Sequence, residues 1–533
     1  MVPIWFLVIL IIQGLIRNQG TTINMDRPPE PLPDIGPGLE ALKVRDPAFS
    51  QQAFEERAER VFLSVQEAWF RRDFDETRNL MSDGLYRRFR VLQGLMTRES
   101  RRDAVADPVV ISSRIAAIAK SDAFDVVTVA IKASLKDAEV SSDLSDDEAL
   151  RAAKNASPER FTEYWTFLRR VEAITAEGKD LSNGNCPNCG APFEGGESGK
   201  CPYCEAIVNS GRHDWVLSEI TQACEFVLPP APALDALNST DPGLAAEVLE
   251  DRALLAFWKW LEAYGFEEPA RARRLSQSDL VDEVRADIEK MREIGKPVVL
   301  ATPAVGGADL LSVSRDGDGF DRVCVDVRWS AAAAFTPDDS LGRVLVRPRR
   351  HVLRMSRKSG AVSPVSGLAT DRCGNCMAPL SDSDAVTCPH CDVDLTSGAH
   401  DWVLEEVVPY DAWRLERPAG QRADPMLVTS SERRRVLQLL TAMAKADGVV
   451  DASERRLLKS CARRWNVPWS DVEVLLATDA PLALEGLERL GDEGRQALLI
   501  DLEQMLRADG RYDRREQQLM ETVSRRWTGG EGA

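Results

Sequence analysis

One cysteine pattern, C-x2-C-x11-C-x2-C, occurs twice in this chain, and its second occurrence begins 187 residues after the first. The cysteines are Cys186, Cys189, Cys201 and Cys204 in the first occurrence, and Cys373, Cys376, Cys388 and Cys391 in the second. At the same offset both are followed by His-Asp-Trp-Val-Leu, which begins at His213 and at His400. The pattern predicts that a small module and the strand after it were duplicated as one unit.

Each set of four cysteines predicts one zinc ion, so the chain is expected to hold two. Paired Cys-x-x-Cys turns are a common way to present thiolates to zinc, and four thiolates fill a tetrahedral shell without leaving a position for water. Both ions are therefore expected to be structural rather than catalytic. Disulfides within each module are the alternative in an oxidising compartment. Modules this short bury little apolar surface, so their order is expected to depend on the metal.

Composition constrains the partners of the chain. A length of 533 residues and a hydrophobic content of 44% allow several packed cores in about three to five domains. Lys and Arg number 67 against 85 for Asp and Glu, a formal net charge of −18. Because such a charge repels phosphate backbones unless a local basic patch overrides it, no nucleic-acid partner is expected.

The first sixteen residues, MVPIWFLVILIIQGLI, carry no charged side chain, and the first charge is Arg17. This pattern predicts a transmembrane anchor over residues 1–19 with the body of the protein in the cytoplasm, followed by a Pro-rich extended linker over 20–45. A cleaved signal peptide usually has a positive charge before its apolar core and a small-residue cleavage site after it, and this segment has neither. It remains an alternative, as does a peripheral segment, because the apolar stretch is shorter than the ~20 residues that span a bilayer.

Hydrophobic periodicity predicts the elements of the first half. Apolar residues at helical spacing from Phe54 to Phe70, and again from Leu80 to Leu95, indicate two amphipathic helices. After Pro108, residues 109–119 and 124–131 are rich in β-branched side chains and predict strands. Two more strands, FTEYWTFLRRVEAI and HDWVLSEI, flank the first cysteine module, which therefore lies at the tip of a β-hairpin.

Residues 46–226 resemble a Tim44-like domain, a family named for the peripheral motor-scaffold subunit of the mitochondrial inner-membrane translocase. The resemblance is carried by DPAFSQQAFEERAERVFLSVQEAWFRRDFDETRNLMSDGLYRRF, EYWTF and DWVLSEI. It implies an α+β fold with helices on a curved antiparallel sheet, cone-like in the manner of nuclear transport factor two. LLAFWKWLEAYGF and FDRVCVDVRW indicate a second such domain over 243–414. The zinc ribbons are assigned to 184–208 and 371–395.

After a linker over 415–426, an all-helical tail contains the sequence Ala-Asp-Gly-x-x-Asp-x-x-Glu twice, 62 positions apart. Residues 427–528 resemble the tellurite-resistance TerB-like domain, which implies that these acidic turns bind a divalent metal weakly. The residues concerned are Asp447, Asp451, Glu454, Asp509, Asp513 and Glu516. Helix capping is the alternative, because the glycine ends one helix and the Asp and Glu form a capping box on the next.

No catalytic constellation is recognisable, since the chain has four histidines, no G-x-S-x-G turn and no phosphate-binding glycine loop. We therefore predict a membrane-anchored, non-enzymatic scaffold that engages partner proteins or lipid at the cytoplasmic face. The basic run from Arg343 to Lys358 is the candidate lipid contact. A metal-dependent enzyme with its site inside the cone and a nucleic-acid-binding zinc-ribbon protein are the alternatives. The sequence does not determine the oligomeric state.

Overall fold

The computed structural model divides into two compact units. Unit 1 comprises residues 1–349 and 353–405, and unit 2 comprises 350–352 and 406–533. Within these, the described residues are 33–193, 199–222, 226, 241, 244–293, 299–315, 319–334, 346–363, 367–380, 384–410, 413, 430–446, 450, 452–464, 467, 469–478, 498, 502, 515 and 518–523.

The first half of the chain forms helices and a four-stranded antiparallel sheet with the strand order β1-β2-β3-β4. Its elements are α1 (Gly36–Arg45), α2 (Gln51–Arg71), α3 (Asp83–Arg98), β1 (Arg101–Lys120), β2 (Phe124–Ser141), α4 (Asp146–Lys154), β3 (Glu159–Arg170) and β4 (Val216–Gln222). The first cysteine module lies between the paired strands β3 and β4, as predicted. We call these elements and their module the first repeat.

The second repeat has the same strand order, β5-β6-β7-β8. Its elements are α5 (Ala246–Gly265), α6 (Ser278–Glu293), β5 (Val299–Arg315), β6 (Phe320–Ala334), β7 (Val346–Lys358) and β8 (Val403–Pro409). The second cysteine module again precedes the last strand. The expected α+β class, with helices and two antiparallel sheets, is confirmed.

Local chemistry explains where the helices of the first repeat begin. The Ser50 hydroxyl accepts the Ala53 N–H at 3.3 Å and caps α2, and the Ser82 hydroxyl accepts the Leu85 N–H and caps α3. Leu80, which was expected to begin the second helix, instead lies in the 3-10 turn before it. Both serines have an extended backbone, and the apolar stripe of each helix begins after its serine.

Strand β1 begins at Arg101, earlier than the sequence predicts. Pro108 was expected to precede the strand, but the pairing of β1 with β2 shifts between Ala106 and Val109. This irregularity leaves the proline outside the hydrogen-bonded ladder, where its missing N–H costs nothing. Sequence rules that place proline at strand ends therefore missed the first part of β1.

Aromatic side chains fill the space between helices and sheet in the first repeat. Phe54 of α2 lies with its ring centroid 5.5 Å from that of Phe167 and 4.9 Å from that of Trp215. Phe62, further along the same helix, lies 5.4 Å from Trp165. All five are buried. The interior that the resemblance implied as a cone is occupied here by close-packed rings.

The segment 20–45 is not a linker throughout. Residues Gly36–Arg45 form α1, and its Leu42 is fully buried in the core of the first repeat. The helix buries the apolar side chain of Leu42, which an extended linker would leave in water, and this burial favours the helix. Among the described residues, no helix has both the length and the apolar character needed to cross a bilayer. The predicted anchor at 1–19 lies outside the described residues.

The described part of the tail is helical, as predicted. It contains α7 (Ser430–Ala444), α8 (Ala452–Arg464) and α9 (Trp469–Ala477), whose apolar faces share one core. Of the six acidic residues predicted to bind metal, only Glu454 lies among the described residues, where it is buried near the start of α8. The other five lie outside them, so the weak metal site stays a prediction.

Candidate metal centres

The four cysteines of the first module converge on one point. The Sγ atoms of Cys186 and Cys204 are 3.7 Å apart, those of Cys189 and Cys201 are 3.8 Å apart, and all four lie within 4.8 Å of one another. A disulfide would bring two sulfurs to about 2 Å, whereas a tetrahedral shell with Zn–S bonds of about 2.3 Å has edges of about 3.8 Å. The geometry fits a zinc ribbon with four thiolate ligands.

The second module repeats this geometry. Its Sγ–Sγ distances are 3.7 Å between Cys373 and Cys391 and 3.8 Å between Cys376 and Cys388, again with all four within 4.8 Å. All eight cysteines predicted as ligands are thus brought together in the two predicted groups. The two ligand sets and their chemistry are compatible with zinc.

All four Cys-x-x-Cys turns have the same backbone. In each, the residue after the second cysteine has a positive φ and donates its N–H to the carbonyl of the first cysteine at 2.8–3.0 Å. The four residues are Gly190 (φ 79°), Glu205 (φ 58°), Met377 (φ 61°) and Asp392 (φ 59°). Only the first turn uses glycine, so the other three hold side chains in a conformation that costs roughly 1 kcal/mol or more each.

An asparagine supports each thiolate set, and sequence reasoning missed it. Asn188 Nδ2 lies 3.4 Å from the Sγ of Cys204, and Asn375 Nδ2 lies 3.5 Å from the Sγ of Cys391. The signal was the shared third position of the first turn, C-P-N-C and C-G-N-C. Outer groups of this kind orient metal ligands and tune their basicity.

The cysteines within each set differ in acidity. Hydrogen bonds from the Ala206 backbone and from Asn188 lower the pKa of Cys204 to about 6, and Asn375 is the main cause that lowers the pKa of Cys391 to about 6. Burial raises the pKa of Cys186 and of Cys373 to about 12. A bound cation would favour the thiolate form of all of them.

The two ribbons are attached to the fold in different ways. In the first, Cys186, Cys201, Phe193 and Val208 belong to the same apolar core as α2 and the sheet. In the second, Cys373 and Cys388 form a small cluster of their own with Leu380. The first ribbon is therefore part of the domain core.

The Asp of His-Asp-Trp anchors the closing strand to the first long helix in both repeats. Arg57 Nη2 of α2 lies 3.0 Å from Asp214 Oδ2 and donates to the Trp215 carbonyl at 2.9 Å. In the second repeat Arg252 of α5 donates to the Trp402 carbonyl at 3.2 Å and pairs with Asp401 at 3.3 Å. In both repeats, therefore, the aspartate of this motif positions the closing strand against the first long helix.

A second network, which the sequence analysis did not find, also recurs. In the first repeat Asp46 pairs with Arg169 at 2.9 Å and accepts the Thr175 hydroxyl at 2.6 Å. In the second repeat the matching residues are Asp241, Arg357 and Ser363, with distances of 2.9 Å and 2.5 Å. The signal was Asp-Pro, present at 46–47 and 241–242, five residues before each long helix. The two repeats therefore share this network as well as the cysteine sets and the closing motif.

The segment from α1 to the start of the first ribbon is similar to a known domain family. Residues 36–179 match the family model of the Tim44-like domain. The match includes α1, which the sequence analysis had placed in a linker, and it ends before the first cysteine. The second repeat lies outside the matched residues. No curated protein matches the chain.

Proposed function

We propose that this protein is a non-enzymatic scaffold that holds partner proteins at the cytoplasmic face of a membrane, with two zinc ions maintaining its ribbons. The observation that carries the non-enzymatic part of the proposal is the presence of two closed four-cysteine sets together with an interior of the first repeat that is filled by aromatic rings. Four thiolates leave zinc no position for a substrate or water. The matched Tim44-like segment supports a binding role over chemistry.

Exposed apolar side chains recur at matching positions and supply a surface to test. Ile174 is 62% exposed in the first repeat, and Val362, which precedes the matching Ser363 as Ile174 precedes Thr175, is also 62% exposed. Tyr203, between Cys201 and Cys204 in the first ribbon, is 70% exposed. A protein partner would bury such side chains, whereas a nucleic acid would seek basic ones.

Crosslinking in intact membranes tests the scaffold. We expect wild type to recover partner proteins that are lost with Cys186→Ser plus Cys373→Ser, because both ribbons then lack a ligand. Cys324→Ser is the matched control, since Cys324 is buried and lies outside both sulfur sets. Recovery of no protein with wild type, or of the same proteins with all three chains, would contradict the proposal.

We also propose that residues 1–19 anchor the chain and that the second repeat is a further Tim44-like domain over 243–414. Deleting residues 1–19 should move the protein from the membrane pellet to the supernatant after alkaline extraction. A tag after Ala533 should be digested by protease in inverted vesicles and protected in intact cells. Protection of the tag in inverted vesicles would contradict the cytoplasmic placement.

For the tail, we propose that 427–528 is a TerB-like domain. Its acidic turns supply hard oxygen ligands of the kind that calcium and magnesium take. Calorimetric titration of the full chain with Ca²⁺ should show weak binding that Asp451→Asn plus Asp513→Asn removes. Unchanged binding would leave the capping explanation in place.

A further inference from the structure

The residues that lead into the two ribbons are held by different partners. In the first repeat Arg57 and Arg60 of α2 pair with Asp180, and Asp214 accepts the Leu181 N–H at 3.1 Å. All of these residues belong to the first repeat. The corresponding residues of the second repeat, Leu368–Arg372, are held by both repeats, and we call them the strap. Within the second repeat, Arg252 donates to the Thr370 carbonyl at 2.5 Å.

Backbone hydrogen bonds join the strap to the first repeat. The Asp83 N–H donates to the Leu368 carbonyl at 3.3 Å, and the Leu368 N–H donates to the Ser210 carbonyl at 3.3 Å. Two residues before Cys373, the Asp371 N–H donates to Asp83 Oδ2 at 2.7 Å. The strap therefore contacts both the start of α3 and the base of the first ribbon.

Charges reinforce this attachment. The Asp371 carboxylate pairs with Arg274 of the second repeat and lies 3.6 Å from Arg87 Nη2 on α3 of the first. Asp371, Arg87 and Arg274 are all buried. The contact between Asp371 and Arg87 exists only while the repeats are docked, so it belongs to one particular arrangement of the two repeats.

The fit is also close at the neighbouring position. Asp251 of α5 accepts the Gly84 N–H of α3 at 3.0 Å and the Thr370 hydroxyl at 2.7 Å. A Cβ added at Gly84 would lie 2.6 Å from the carbonyl oxygen of Asp251. Three segments, the start of α3, the strap and α5, thus meet at one point with no space for an extra methyl group.

We propose that the second zinc site is a metal-dependent clasp between the two repeats. The strap is hydrogen-bonded to the first repeat and runs directly into Cys373, so binding of the ion at the second site and docking of the repeats are coupled. Removing that ion frees the end of the strap and loosens the repeats. Removing the ion of the first site instead loosens the core of the first repeat. The clasp therefore makes the arrangement of the two repeats depend on the concentration of available zinc.

Hydrogen exchange on the full chain tests the clasp. In Cys376→Ser we expect exchange of the amides of Ser82–Leu85 to accelerate about tenfold, within the usual range of coupling between sites, while Val127–Ile131 of β2 stay protected. In the control Cys189→Ser, β2 should lose protection. Unchanged exchange at Ser82–Leu85 in a Cys376→Ser chain that has lost one zinc ion would overturn the proposal.

Coupling is reciprocal, so a change in the first repeat should weaken zinc binding in the second. Zinc transfer to a chromogenic chelator should show two phases, and the phase absent from Cys376→Ser belongs to the second site. We expect Asp83→Ala to accelerate that phase about tenfold and to spare the other. Asp180→Ala, which removes the matching contact within the first repeat, should accelerate only the other phase. Equal acceleration of both phases by Asp83→Ala, or of neither, overturns the clasp.

The clasp rests on the zinc binding of the proposed function, and metal analysis separates the two. A wild-type chain without zinc at the second site overturns both. The clasp alone is overturned if wild type binds two zinc ions but Cys376→Ser leaves exchange at Ser82–Leu85 unchanged and Asp83→Ala leaves zinc release from the second site unchanged.

Discussion

The guanidinium of Arg169 lies over the indole ring of Trp215, with its Cζ 4.4 Å from the ring centroid. Arg357 stands over Trp402 in the same way at 4.6 Å. Each arginine also pairs with the aspartate that precedes the first long helix of its repeat. In each repeat, one buried arginine thus contacts both the segment before the first long helix and the tryptophan before the closing strand, which follows the ribbon in the chain.

Arg169→Ala should destabilise the first repeat by about 3–5 kcal/mol, because it leaves the Asp46 carboxylate buried without its main cation. Arg151→Ala, an exposed change on α4, should have an effect within about 0.5 kcal/mol. Urea unfolding followed by tryptophan fluorescence measures both. Equal stability of the two variants would show that the stacked arginine contributes little.

Zinc content should be two ions per chain in wild type and one in either Cys189→Ser or Cys376→Ser. Because the first ribbon shares the domain core and the second does not, Cys189→Ser should lower the thermal midpoint of the first repeat more than Cys376→Ser does. Mass spectrometry measures the zinc content, and calorimetry measures the thermal midpoint. Identical midpoints in the two variants would contradict this difference between the ribbons.

Asn188→Ala and Asn375→Ala should each weaken zinc binding at their own site by about tenfold to a hundredfold, since each removes a hydrogen bond to a ligand sulfur. Asn155→Ala, an exposed change at the end of α4, is the matched control and should leave both affinities unchanged. Competition with a chelator of known affinity measures the effect. A loss at both sites from either single change would point to a global rather than a local cause.

Docking of the repeats should weaken as the pH rises toward neutrality. Burial raises the pKa of Asp251 to about 7, and the nearby Asp83 contributes in the same direction, while hydrogen bonds from Ser82, Thr370 and Gly84 oppose it. In an exposed, undocked state the carboxyl titrates near 4. Since the docked state holds the proton up to about pH 7, its advantage falls as pH rises from about 4 to about 7 and is lost above that.

Asp251→Asn should remove this slope, because the amide oxygen still accepts a hydrogen bond but carries no charge at any pH. Exchange of the Ser82–Leu85 amides across this pH range, corrected for the intrinsic rate, is the measurement. A slope that persists in Asp251→Asn would assign the titration to another group.

Gly84→Ala should destabilise the contact between α3 and α5 by roughly 1–3 kcal/mol, because its new methyl group has no space beside Asp251. Gly36→Ala is the control, since only the flexible side chain of Asp34 lies near that position. Small-angle scattering of the full chain reports the separation of the repeats. An unchanged scattering profile and unchanged exchange of α3 in Gly84→Ala would contradict the close fit.

The sequence by itself was sufficient for what depends on neighbouring residues. Sulfur ligands repeat at short, regular spacing, so both four-cysteine sets followed from that spacing, and the stripe from Phe54 to Phe70 indicated α2. Some local signals were present but overlooked. Ser145 and Glu148 form the capping box that starts α4, and Asn188 stands inside the first Cys-x-x-Cys turn.

Only the tertiary structure decided which distant residues meet. Asp46 and Arg169 are 123 positions apart, and nothing in the local pattern pairs them. The greatest difference concerns the ribbons, whose cysteine spacings are identical. One is enclosed by its own domain core, while the strap of the other is held by Asp83 of the first repeat. Spacing determines what a ribbon binds, whereas the packing of whole domains determines what the ribbon holds in place, because packing depends on surfaces assembled from residues far apart in the chain.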